Sequence, residues 1–158
     1  MNYYIKIHPT CIAMLPENAA PRVFTSSDIY LNINNLIICV GGNPTTFVLE
    51  KPYISIGPAI TPPAAATRVA QNIMVTQRAY GALIYALSTN FPQASIRELT
   101  SASVRQHLFP NTQSVSKDFL LTTVNAKYDT LKSGLTPIQE LCVADCMLLS
   151  LFHESHKL

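Results

Sequence analysis

Charge is scarce in this chain of 158 residues: Asp, Glu, Lys and Arg make up only 13% of it, about half the usual ~25%. A free monomer ordinarily keeps a mixed charged surface that resists association. The deficit therefore points to a surface that other protein covers. Glycine is also sparse, with five residues, which leaves little material for phosphate-cradling loops. There is no dinucleotide fingerprint, P-loop, nucleophile elbow or paired-cysteine zinc signature. The segment "GGNPTT" lacks the lysine a phosphate loop requires, and Pro44 removes a backbone donor, so it reads as a turn. No apolar run approaches the ~18 residues of a membrane span. The N-terminus has no basic leader, and Pro9 and Pro16 confine its apolar run, which argues against a signal peptide. An intracellular protein with reduced Cys11, Cys39, Cys142 and Cys146 follows from these absences.

What replaces charge is uncharged polarity: 14 Thr, 12 Ser and 10 Asn. The charge that remains is uneven. Residues 1–50 carry a small negative excess, and residues 118–158 a larger one. The middle, residues 51–117, holds six basic side chains (Lys51, Arg68, Arg78, Arg97, Arg105 and Lys117) against Glu98 alone. Such a gradient suits an anionic partner or charge-complementary packing between copies.

The length predicts a single domain, residues 1–158, with a β-rich subregion over 1–60 and a helical one over 64–158. The expected class is α+β: an N-terminal antiparallel β portion over about 1–57, then about four helices. "YYIKI", "CIAML", "DIYLNINNLIICV", "TTFVLE" and "PYISIG" read as strands, the third and fourth joined as a hairpin through "GGNP". Helices are expected at about 64–91, 96–109, 116–132 and 137–155. The first has a stripe at Val69, Ile73, Thr76, Tyr80, Leu83 and Leu87. The second is opened by a capping box from Ser95 to Glu98, and the fourth by Thr136, Pro137 and Gln139.

The stretch "LCVADCMLLSLFHESH" places Cys142, Cys146, His153 and His156 on one helical face. At 1.5 Å per residue, however, Cys146 and His153 are roughly 10 Å apart along the axis, too far for one ion with ligands at about 2.0–2.3 Å. No metal and no cofactor are expected. The helix is apolar nearly all round, with Asp145 the sole charge between Glu140 and Glu154. It is therefore central in the fold or shared with a neighbour, through Leu141, Leu148, Leu151 and Phe152. If buried, Asp145 needs a partner, with Arg68, Arg78, Arg97 and Arg105 as candidates.

The composition favours a non-enzymatic, self-assembling structural protein: a homo-oligomer of the viral coat or nucleocapsid kind. RNA or DNA phosphates would be met by Arg68, Arg78, Arg97, Arg105 and Lys117. Two alternatives stay open: a small intracellular adaptor that hides an apolar helix face, and an enzyme whose site is assembled only in space.

Overall fold

In the computed structural model, which describes residues 1–52, 63–110, 122 and 134–156, the chain opens as a short meander. β1 (Asn2–His8) and β2 (Cys11–Pro16) run antiparallel, with Lys6 opposite Ala13 and His8 opposite Cys11. β3 (Arg22–Phe24) pairs with the far side of β2. β4 (Thr46–Lys51) flanks the other side of β1 in parallel, and β5 (Ser95–Thr100) runs parallel to β4. The order is β3-β2-β1-β4-β5. β1 is the centre: the chain leaves it on one side through a turn and returns on the other through a crossover.

Alternation along the strands sorts side chains to two faces. Tyr3, Ile5, Ile7, Ile12, Met14, Phe47 and Leu49 form one apolar layer. It is covered by α1 (Ile29–Cys39) through Ile33 and Leu36, and by α2 (Pro63–Asn90) through Leu83 and Leu87. Tyr4, Ala13, Leu15 and Val48 face the other way. They are covered by α3 (Ser101–Leu108) through Val104 and by α4 (Pro137–Ser155) along most of its length. The class is α+β: a five-stranded sheet with four described helices, the strands mostly N-terminal.

Two elements differ from the sequence expectation. The stretch from Ile29 to Cys39 is a helix, not a strand. Its isoleucines alternate with polar residues, yet Ile29, Ile33 and Leu36 also fall at helical spacing, and these are the ones buried. Asp28 caps it, accepting a hydrogen bond from the Tyr30 N–H at 2.9 Å. Asn32, fully buried, accepts from the Ser26 N–H and donates to the Ser26 carbonyl, which pins the entry to the helix. "GGNP" therefore links a helix to a strand, with Gly42 at φ 64°. The second difference is Ser95–Glu98, which lies in β5 instead of opening a helix. Pairing with β4 outweighs the local capping pattern, and Thr100 caps α3 in its place, accepting from the Ser103 N–H.

α2 and α4 fall where the periodicity puts them. Thr136 and Gln139 exchange the two bonds of a capping box. The strand expected at "PYISIG" and the helix expected over 116–132 lie outside the described residues. α4 is buried on almost every side, with Cys142 through Ser150 all buried. Of the two alternatives, the central position describes Leu148 and Phe152, which are buried against the chain's own sheet and α3, while Leu141 and Leu151 are half-buried. No described helix is long and apolar enough to cross a membrane.

Candidate active site

On the face of the sheet under α4, two charged residues interrupt an otherwise apolar layer. Lys6 follows Ile5 in β1, and Glu50 follows Leu49 in β4; Ile5 and Leu49 are register partners. The next residues on both strands thus point to the same side, near the C-terminal ends of two parallel strands. In open sheets that edge is where ligand sites form, because adjacent connections diverge there and leave a crevice.

The Lys6 Nζ donates to Glu50 Oε1 at 2.6 Å and lies 3.6 Å from Asp145 Oδ2. Asp145, projecting from α4, accepts from Arg105 Nη2 of α3 at 3.3 Å. Four charges from four elements therefore form one chain: Glu50, Lys6, Asp145, Arg105. Glu50 is the most buried of the four and Arg105 the most exposed. The Glu50 side chain is 6% exposed, Asp145 11%, Lys6 20% and Arg105 36%. Arg105 stands at the mouth, and its Nε is buried with no hydrogen-bond partner among the described residues. Ser101, Val104, Leu148 and Leu149 pack closely around Glu50, Arg105 and Asp145.

Burial sets the protonation of this group. Glu50 is pushed above the usual carboxylate range, first by desolvation and then by the like charge of Asp145; the Lys6 ammonium only partly offsets this. Burial alone would lower Lys6, but the Glu50 and Asp145 charges outweigh it and hold its pKa up. The ammonium is thus held protonated, while the carboxylate beside it keeps a proton to higher pH than a free carboxylate does. Such a pairing suits proton transfer next to a fixed positive charge.

Paired carboxylates can hold a divalent cation when enough donors converge. Such an ion needs several oxygen ligands around one point. Here that point, between Glu50 and Asp145, is taken by the Lys6 ammonium. Among the described residues no group of three or more His, Cys, Asp or Glu is placed to hold a metal. The arrangement does not fit a divalent ion.

The other residues singled out from the sequence fall in separate places. Arg68 and Arg78 are exposed on α2, the helix over the opposite face of the sheet. Arg97 lies on β5, on the α4 side. Its Cζ is 5.9 Å from the Phe152 ring centroid, and its Nη1 is 3.4 Å from His153 Nδ1. Arg105 belongs to the charged cluster. Lys117 is outside the described residues. The four described arginines do not line one groove. Cys142 and Cys146 face β2: Cys142 Sγ is 3.8 Å from Cys11 Sγ, and the Cys146 thiol donates to the Ala13 carbonyl. His153 and His156 sit at the far end of α4, where His156 stacks on Phe152 and His107 of α3 meets both rings.

Two residues of the site, Lys6 and Glu50, escape sequence reasoning. The available signal is a lone charge in an apolar strand, on the parity that faces the core: Lys6 between Ile5 and Ile7, and Glu50 ending "FVLE".

No protein-family profile and no curated protein matches the chain. Solved structures do. The fold resembles that of RuvC. Thermus thermophilus RuvC is 12% identical over 97% of this chain and 92% of its own, with a TM-score of 0.57. T. thermophilus RuvC in complex with a Holliday junction substrate is 9% identical over 98% and 95%, with a TM-score of 0.63. At this identity the likeness is one of fold. It overturns the expectation of a coat or nucleocapsid-like, self-assembling structural protein, which rested on composition alone. The near-apolar helix that suggested subunit contacts is instead the cover of a RuvC-like sheet. The expectation that the chain is not an enzyme is corrected with it, because the matched RuvC is held with a substrate. The site assembled in space, left open as an alternative, fits better.

Proposed function

We propose that this chain is an enzyme acting on the phosphodiester backbone of branched DNA, with Lys6, Glu50, Arg105 and Asp145 as its active centre. One observation carries the reading: the four-residue charged cluster lies at the carboxyl edge of the parallel strands, in a fold like that of RuvC bound to a Holliday junction. Cleavage of a phosphodiester by water needs a proton acceptor and positive charge where the phosphate becomes more negative. Arg105, the most exposed of the four, is placed to meet a phosphate oxygen through the outer N–H groups of its guanidinium. Lys6 supplies fixed positive charge behind it. Glu50 takes the proton of the attacking water as the new P–O bond forms. The bond to one deoxyribose breaks, and the departing oxygen is protonated from solvent. Arg97, His107 and His156 extend the same side of the molecule as a surface for the DNA backbone.

End-labelled Holliday junction DNA and linear duplex of the same sequence, incubated with the wild type, Glu50→Gln and Asp145→Asn, test this. The expected result is shortened junction strands with the wild type and an uncut duplex. For Glu50→Gln a loss of about a hundredfold or more in rate is expected, with junction binding kept in a gel-shift assay. A wild type that binds the junction without cutting it over a broad pH range overturns the catalytic part. One that does not bind it overturns the whole reading.

A further inference from the structure

We infer that the Lys6 ammonium is the built-in cation of the Glu50–Asp145 pair, so that this centre engages DNA phosphate without a divalent ion and excludes one. The consequence for DNA rests on the function proposed above; the exclusion of the ion does not. The geometry argues it first. Lys6 Nζ is 2.6 Å from one carboxylate and 3.6 Å from the other, and so occupies the space an ion shared by the two would need. Charge argues it independently. Lys6 and Arg105 balance Glu50 and Asp145, two positive groups against two negative. A divalent ion added to this buried set would leave it doubly positive, a costly state away from water. A compact, strongly hydrated ammonium on a flexible stem suits this role, because it can swing from a carboxylate to an incoming phosphate oxygen while staying charged.

The same count predicts how the exclusion can be undone. Lys6→Asp would place three carboxylates against Arg105, a net charge that one divalent ion cancels. Lys6→Gln keeps a side chain of similar length without its charge and leaves two carboxylates against one cation. The lysine alone would then decide whether the site takes an ion.

Thermal unfolding of the full chain with and without manganese(II), together with manganese paramagnetic resonance of the same samples, tests this. The wild type is expected to show no manganese-dependent rise in midpoint and no bound signal. Lys6→Asp should show both, with affinity at least about tenfold above wild type, and should lose both when Glu50→Gln and Asp145→Asn are added. Lys6→Gln should fall between and serves if Lys6→Asp folds poorly. Manganese bound by the wild type and lost in Glu50→Gln would overturn the inference. So would an absence of gain in both Lys6 variants. Junction processing by the wild type is expected to persist in EDTA; its abolition there would also overturn the inference. A wild type that neither binds manganese nor cuts DNA would sink the proposed function while leaving the exclusion intact.

Discussion

Glu50 carries opposing demands. It is 6% exposed and shares its surroundings with Asp145, both of which favour its protonated form, yet it bonds Lys6, which favours the charged form. Desolvation wins, so the folded protein binds this proton more tightly than the unfolded chain does. Glu50 therefore favours folding at acid pH, and that contribution is lost as pH rises from 4.5 through the raised folded value. For Lys6 the raised value means a contribution fully present below 10.5 and lost as pH climbs through the folded value. A carbon-13 titration of the Glu50 carboxyl should give a midpoint above 4.5. The acid limb of the cleavage rate should follow that midpoint, because the unprotonated form is the base. Asp145→Asn should move the midpoint down by removing the like charge; an unmoved midpoint would leave desolvation as its sole cause. Lys6→Met strands Glu50 without its cation and should cost about 2–4 kcal/mol in urea unfolding at neutral pH.

α4 shows how an element can be legible in kind and misjudged in role. Its start is written locally: Thr136 caps, Pro137 occupies a position where no donor is needed, and Gln139 closes the box. Its apolar circumference is equally plain, but what covers it is not. The cover proves to be β1, β2, β4 and α3 of the same chain, because Tyr4, Ala13, Leu15 and Val48 present a matching layer. Leu149→Ala, in the centre of that layer and 1% exposed, should cost about 2–5 kcal/mol. Thr136→Ala, at the exposed cap, should cost about 1 kcal/mol. Both are read as urea midpoints, and equal costs would contradict the central position of α4. α1 is the converse case. The run from Ile29 to Cys39 satisfies both the strand and the helix period, and the choice falls to Asp28, Ser26 and Asn32, whose bonds close the helix start.

At the scale of the whole molecule, four described arginines divide between two sides of the sheet. Arg97 and Arg105 stand with α3 and α4, on the side of the charged cluster; Arg68 and Arg78 stand on α2, over the other face. If the proposed surface holds DNA, Arg97→Ala and Arg105→Ala should each weaken junction binding and reduce the salt slope by about one. Arg68→Ala and Arg78→Ala should leave both near wild type. Fluorescence anisotropy over a salt series measures this, and equal losses from both sides would contradict the placement of the DNA surface. The net charge of +2 conceals this division, which is why the basic middle of the sequence read as a single patch.

By itself the sequence determined the α+β class, the long helix before Asn90, the capped helix from Pro137 and the inability of one ion to gather Cys142, Cys146, His153 and His156. These follow from spacing along a single element, where distance is set by rise per residue. The tertiary structure alone decided that Lys6, Glu50, Arg105 and Asp145 meet. They come from β1, β4, α3 and α4 and are separated by as many as 139 positions in the chain. Their meeting depends on strand register and on which helix lies over which face. No local pattern encodes that, because each charge on its own reads as an ordinary exception in an apolar run. Only their convergence in a buried space requires them to neutralise one another.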